Sequence, residues 1–144
     1  MFGPHLTLDM YGCDKRKIGS VEYIDNFLDK LPGKIGMNKI MPPNTFKYES
    51  PKDWGVTGVV LIAQSHIAIH TFPEVGYASF DIFSCKDFDA EKVAAHVIKA
   101  LGAKTYEKNM FSRGRHFPKD YWRNMEIMSM QRSQKKAMEV SVRQ

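Results

Sequence analysis

The sequence predicts an α+β fold, a two-layer sandwich in which an antiparallel sheet carries helices on one face. Three observations predict it. Apolar and polar residues alternate over residues 5–13, with Leu6, Leu8 and Met10 on one side and Thr7, Asp9 and Tyr11 on the other, the pattern of a half-buried strand. Val21, Ile24, Phe27, Leu28 and Leu31 recur at helical spacing, as do Val93, Val97, Ile98 and Leu101. Several short strand-like runs lie between these helical stretches, so the order is strand, helix, several strands, helix, strand, which packs as a sheet with helices on one side. The other sheet face is left bare, and a second copy of the same sheet is the economical cover, giving a four-layer α/β/β/α sandwich.

Each element follows in turn. Gly12-Cys13-Asp14 ends the first strand. Ser20 can cap the first helix, since its hydroxyl oxygen can accept an orphan N–H, and Pro32-Gly33 stops that helix. Residues 37–41 read as a short strand, interrupted by Pro42-Pro43 and resumed over 46–48. Residues 50–55 are a loop, and the apolar, β-branched run 56–63 has the profile of a buried strand. Asp89 caps a second helix, with Gly102 at its C-terminal end. Residues 104–110 read as a last strand. From Pro118 a third helix sets Tyr121, Trp122, Met125 and Met128 on its apolar side, and its polar end, 131–144, is expected to fray.

At 144 residues the chain is large enough for a real core, and its longest apolar run, 59–63, is far too short to cross a bilayer. Two cysteines, Cys13 and Cys85, make no disulfide framework, and no basic segment leads into an apolar one, so a reducing, cytoplasmic setting is expected. The formal charge of +5 comes largely from the tail, where Arg113, Arg115, Lys119, Arg123, Arg132, Lys135, Lys136 and Arg143 gather. No nucleic-acid motif accompanies them, which favours a solvated helix face over nucleic-acid binding.

Polar chemistry concentrates in residues 64–85. Ser65 opens a strand on which His66, Ala68, His70 and Phe72 share one parity. Pro73-Glu74-Val75-Gly76 breaks it, and residues 77–85 return as the second arm of a hairpin. If Phe72 faces Tyr77, Cys85 falls opposite Gln64, next to Ser65. His66 and His70 could share a zinc ion on a helix, but on a strand they stand about 13 Å apart, which argues against a metal site. A hydrolase triad fits no better: there is no Gly-x-Ser-x-Gly elbow, and Ser65 and His70 point to opposite faces of a straight strand. Taken singly, Ser65 can be a turn residue, His70 a satisfied core histidine and Cys85 a small buried hydrophobe.

Taken jointly, the pattern resembles a known family. Its carriers are Tyr11-Gly12-Cys13-Asp14, then Val56-Thr57-Gly58-Val59-Val60, then Ser65-His66-Ile67-Ala68-Ile69-His70-Thr71-Phe72-Pro73-Glu74, then Gly76-Tyr77-Ala78 and Cys85. Together they resemble the bacterial and archaeal S-adenosylmethionine decarboxylases, pyruvoyl enzymes made as self-cleaving proenzymes. The likeness covers residues 5–114, implying a decarboxylase-like domain over 1–114 and a helical extension over 115–144. It implies cleavage between Gln64 and Ser65, with Ser65 becoming the pyruvoyl group that forms a Schiff base with the substrate and serves as electron sink. It implies processing roles for His70 and Thr57, a proton-donor role for Cys85, and ribose binding by Glu74, with an aromatic such as Tyr48 or Trp54 stacking on adenine. It also implies a homodimer with composite sites, Ser65 and Cys85 from one chain meeting Thr57, His70 and Glu74 of the other. The expected role is supply of aminopropyl groups for spermidine and other polyamines.

The family usually has Glu where this chain has Gln64, and many members have serine where it has Thr57. Two other readings stand beside the leading one. The same scaffold can decarboxylate ornithine or arginine, and an unprocessed homologue could serve as a non-catalytic partner.

Overall fold

A computed structural model describes residues 2–141, with side chains through residue 134. Two compact units result, one of residues 3–113 and one that joins residue 2 with 114–141. The first contains strands β1 (Gly3–Tyr11), β2 (Asn44–Glu49), β3 (Trp54–Ile62), β4 (Ser65–Phe72), β5 (Tyr77–Phe83) and β6 (Thr105–Arg113), with helices α1 (Lys15–Ile18), α2 (Val21–Lys34) and α3 (Ala90–Leu101). The strands form one sheet in the order β2-β3-β4-β5-β1-β6, every neighbouring pair antiparallel.

Strand alternation sorts the sheet into two faces. Leu6, Leu8, Met10, Val56, Val60, Ile67, Ile69, Phe80 and Ile82 are buried on one face, against Ile24, Leu28 and Leu31 of α2 and Val93, Val97 and Leu101 of α3. Each fully buried Leu, Ile or Phe of this kind contributes about 1.5–3 kcal/mol, so this face supplies the core. Gly58 sets how closely α2 approaches, because a Cβ there would lie 2.5 Å from Leu28 Cδ1. The opposite face is open. His5, Thr57, His66, His70, Asp81 and Phe83 lie on it, and Phe46 (66% exposed) and Leu61 (38% exposed) leave apolar surface uncovered there.

The caps fall where the sequence predicts. Ser20 Oγ accepts from Tyr23 N–H at 3.1 Å, Asp89 Oδ1 accepts from Lys92 N–H at 3.1 Å, and Gly102 closes α3 at φ 66°.

Several expectations need correction. The first helix does not stop at Pro32-Gly33. It runs to Lys34, because a proline in the last turn removes one donor while its own carbonyl still accepts from Met37 N–H at 2.8 Å. Residues 37–41 form no strand. Lys39 makes a single bridge to Ile62 before Pro42-Pro43, which lack donors, lead the chain away. The run 56–63 is buried on one face only, with Thr57 and Leu61 exposed. A short helix the sequence did not predict, α1, follows Asp14, whose Oδ1 accepts from Arg16 N–H at 3.0 Å. It is tied down by buried Thr71, whose hydroxyl donates to Ile18 O at 2.7 Å and accepts from Val56 N–H at 2.9 Å.

In the second unit Phe117 packs against Phe2, Tyr121 and Trp122. Its helix α4 spans Tyr121–Ser141, so residues 131–141 are helical where fraying is expected, and 142–144 lie outside the described residues. Tyr121, Trp122, Met125 and Met128 are all exposed on it. Among the described residues, no helix is long and apolar enough to cross a membrane.

Candidate active site

The central hairpin has the register its turn residues predict. Phe72 pairs with Tyr77 and His66 with Phe83. A 3-10 turn at Pro73–Val75 reverses the chain, and Gly76 completes the reversal at φ 67°, where a side chain would be strained. Beyond β5, buried Ser84 folds back on itself, its hydroxyl donating to Lys86 O at 2.7 Å and accepting from Lys86 N–H at 3.0 Å. That turn brings Cys85 to Ser65. Cys85 N–H donates to Ser65 Oγ at 3.0 Å, and its thiol donates to Ala63 O at 3.6 Å. A cleft of about 70 Å³ opens there, lined by Ile62, Ala63, Ser65, Cys85 and Lys86 among others.

The junction before Ser65 is strained. Ile62 pairs with Ser65, so Ala63 and Gln64 make a two-residue hairpin loop between β3 and β4. Among the described residues Gln64 is the one non-glycine with positive φ, at 58°. A positive φ at the second central position alone is the type II pattern, which normally takes Gly and whose twist suits a hairpin less well than the primed turns.

A second group lies at the other end of the same hairpin. Thr57 and His70 are register partners on β3 and β4, and Thr57 Oγ1 lies 3.1 Å from His70 Nδ1. Glu74 sits in the 3-10 turn, where its Oε1 accepts from Trp54 Nε1–H at 2.7 Å and its carbonyl accepts from Lys15 Nζ at 2.8 Å. Lys47 Nζ stands 5.0 Å from the Trp54 ring. Tyr48 is not part of this pairing. It lies opposite Gly55, on the open face and 60% exposed, whereas Trp54 has the opposite parity. His70 stands five residues beyond Ser65, about 17 Å along the strand. Within one chain, then, the candidate residues fall into Gln64–Ser65–Cys85 at one end of the hairpin and two separate pairs toward the other, Thr57–His70 on the open face and Glu74–Trp54, whose Trp54 has the opposite parity.

Sequence reasoning missed a third group. His5 Nε2–H and His66 Nε2–H both donate to Asp81 Oδ2, at 3.1 and 3.0 Å. The only sequence signal was their shared strand parity. Larger clefts open elsewhere, one of about 440 Å³ between α2 and α3, lined by Phe27, Lys30, Lys34, His96 and Lys99. Neither Ser65 nor Cys85 lines it.

The chain is similar to proteins of one family. A family model described as S-adenosylmethionine decarboxylase matches residues 4–114. An S-adenosylmethionine decarboxylase proenzyme of Thermotoga petrophila is 38% identical over 115 residues, spanning 79% of this chain and 85% of the relative. One of Anoxybacillus flavithermus is 37% identical over 112 residues, spanning 78% and 87%. The crystal structure of the adenosylmethionine decarboxylase of Aquifex aeolicus superposes with a TM-score of 0.69 at 36% identity, covering 78% of this chain and 91% of that one.

Proposed function

The chain belongs to the S-adenosylmethionine decarboxylase family, and we propose from the geometry above how this member matures and works. It is a carboxy-lyase of S-adenosylmethionine, made as a proenzyme. The single observation that carries the maturation scheme is the strained Gln64–Ser65 junction with Cys85 N–H on Ser65 Oγ. Ser65 Oγ attacks the Gln64 carbonyl carbon, and the amide nitrogen leaves, so the amide becomes an ester. Loss of the Ser65 Cα proton then expels the Gln64 carboxylate together with Oγ. Hydrolysis of the remaining dehydroalanine releases ammonia and leaves a pyruvoyl group at residue 65.

The residues present fit such a group. Residue 65 sits at a solvent-reachable chain reversal with a thiol beside it, and Gln64 is free to relax once the bond opens. The group supplies a carbonyl that withdraws electrons from the carbon losing carbon dioxide. Cys85 delivers a proton to that carbon, and Glu74, held by Trp54, accepts hydrogen bonds from the ribose hydroxyls. Trp54 rather than Tyr48 is the aromatic placed beside Glu74.

Ser65 and His70 are too far apart to act within one chain, which supports a homodimer packed through the open sheet faces. Thr57, His70 and Glu74 of one copy then complete Ser65 and Cys85 of the other, and the uncovered Phe46 and Leu61 find a partner. Residues 115–144 are an extension appended to the catalytic domain of 1–114. The free thiols Cys13 and Cys85 suit a reducing cytoplasm.

The test is an intact mass and a denaturing gel of the purified protein, followed by carbon dioxide release from S-adenosylmethionine, ornithine and arginine. Two fragments divided at Gln64–Ser65 are expected, with release from S-adenosylmethionine alone, and Ser65→Ala remains one chain. Co-expression of Ser65→Ala with His70→Ala restores one working site per dimer. A single wild-type band after long incubation, or a fully active monomer, refutes the scheme.

A further inference from the structure

We propose that His5, Asp81 and His66 form a clamp that holds residue 65 in place after the Gln64–Ser65 bond has opened; this rests on the self-cleavage reading above. Before cleavage the start of β4 is tethered to β3 through Ala63 and Gln64. Its side-chain anchor is the hydrogen bond from Cys85 N–H to Ser65 Oγ. Both restraints are destroyed by the reaction itself. The tether is cut, and Oγ departs on the Gln64 carboxylate. Residue 65 becomes a chain end, and chain ends fray unless something ties them down.

The first side chain downstream of the new end is His66. Its Nε2–H donates to Asp81 Oδ2 at 3.0 Å, and His5 Nε2–H donates to the same oxygen at 3.1 Å. Three strands take part. His5 on β1 and His66 on β4 both lie opposite Phe83 on β5, and their rings sit 5.7 and 6.0 Å from its ring. Asp81, two residues earlier on β5, shares that face. A carboxylate has no proton to give, so both imidazoles carry theirs on Nε2, which fixes both rings. His5 lies upstream of the cut and the other two lie downstream, so the clamp joins the two products where the covalent link is lost. These hydrogen bonds persist after cleavage because none of the three residues takes part in it.

The same three ligand atoms lie within 4.8 Å of one another and could surround a divalent ion. That would require both Nε2 protons to move to Nδ1 and both hydrogen bonds to be given up. The observed separations are those of hydrogen bonds already satisfied, so the three side chains hold position rather than an ion.

The experiment replaces the acceptor by Asp81→Ala, with Asp81→Asn as the conservative variant that keeps one accepting oxygen. Asp81→Ala should still cleave itself at close to the wild-type rate, because the tether holds residue 65 until the bond opens. In the cleaved enzyme kcat should fall roughly tenfold or more with KM changing far less, since a small misplacement of a reacting atom can cost up to about 100-fold. Asp81→Asn should recover most of that loss. The melting temperature should fall further in the cleaved protein than in the uncleavable Ser65→Ala background, a difference a merely structural residue would not produce. If Asp81→Ala does not fold, His5→Leu, which has no donor, removes one arm of the clamp and should give the same pattern to a smaller degree. Unchanged kcat, loss of cleavage itself, equal melting shifts in both backgrounds, or one divalent ion per wild-type chain that Asp81→Ala no longer holds would each overturn the clamp. A wild-type chain that never cleaves refutes the maturation scheme instead, and the gel shows it before any variant is made.

Discussion

The φ of 58° at Gln64 makes the proposed cleavage junction a store of backbone strain, and Gln64→Gly is the substitution that releases it. An L-residue in the left-handed region costs about 1–2 kcal/mol relative to Gly, through the approach of its Cβ to the following carbonyl. In the uncleaved chain Gln64 is held there by the Ile62–Ser65 closing pair. Once the bond opens, residue 64 is a chain end and relaxes. If all the strain is relieved by the transition state, Gln64→Gly slows self-cleavage by about five- to thirtyfold, at 1.4 kcal/mol per factor of ten. Self-cleavage compares two folded species, so the unfolded chain drops out of the comparison. It does not drop out of stability. In the Ser65→Ala background the gain from Gln64→Gly is smaller, because glycine loses about 0.5–1 kcal/mol more conformational entropy on folding. The assay is a time course of freshly made precursor on a denaturing gel. Gln64→Ala, which keeps Cβ and removes the amide, serves as control and should cleave like wild type. A Gln64→Gly chain that cleaves as fast as wild type would refute the strain argument, and a slow Gln64→Ala would move the effect from the backbone to the lost amide.

Three further outcomes follow from the same geometry. Cys85→Ala, if it still cleaves itself, should turn over slowly and die during turnover, with mass spectrometry finding alanine in place of pyruvate at residue 65; lasting activity with an intact group would remove Cys85 as proton donor. Glu74→Gln keeps the shape of the side chain and its bond to Trp54 but loses the charge, and should weaken nucleoside binding by about 1.5–3 kcal/mol, read as the dissociation constant in the Ser65→Ala protein. His96 stacks on Phe27, and burial first, then Lys34 and Lys99, hold its pKa below 6.5, the value of the unfolded chain. Its contribution to stability is therefore fully present above pH 6.5 and lost as pH falls through the lower folded value, so His96→Gln should flatten the decline of the unfolding midpoint below that pH.

The hairpin was legible because its information is local. A period of two and a Pro-Glu-Val-Gly turn fix which residues face each other, so the meeting of Ser65 with Cys85 could be read from the offset alone. The bare sheet face was legible for the same reason, since alternating strands with helical stripes on either side leave one face unmatched. What escaped was non-local or conformational. His5 and Asp81 are 76 positions apart and meet only because β1 inserts beside β5, which no local pattern announces. The strain at Gln64 is a dihedral angle, and Gln has no signature for it. Helix α1 has four residues, too few to show a period, and Pro32 reads as a stop although the last turn of a helix tolerates it. Tyr48 and Trp54 looked interchangeable in sequence because only strand parity separates them.

The sheet order has a consequence for how the protein can be made at all. Cutting at Gln64–Ser65 leaves one fragment holding β1, β2 and β3 and another holding β4, β5 and β6. Across the sheet these alternate, with β2 and β3 from the first, β4 and β5 from the second, β1 from the first and β6 from the second. Neither fragment can build its part of the sheet alone, because β1 has both its neighbours in the other fragment. On the proposed scheme folding must therefore finish before the cut, while the chain is still single and assembly is a first-order process. Afterwards any global unfolding separates two polypeptides whose reunion is second order and slows with dilution. On the proposed scheme self-cleavage works as a ratchet: the mature enzyme should refold less readily than its precursor, and two separately synthesised halves should not reconstitute it efficiently at low concentration.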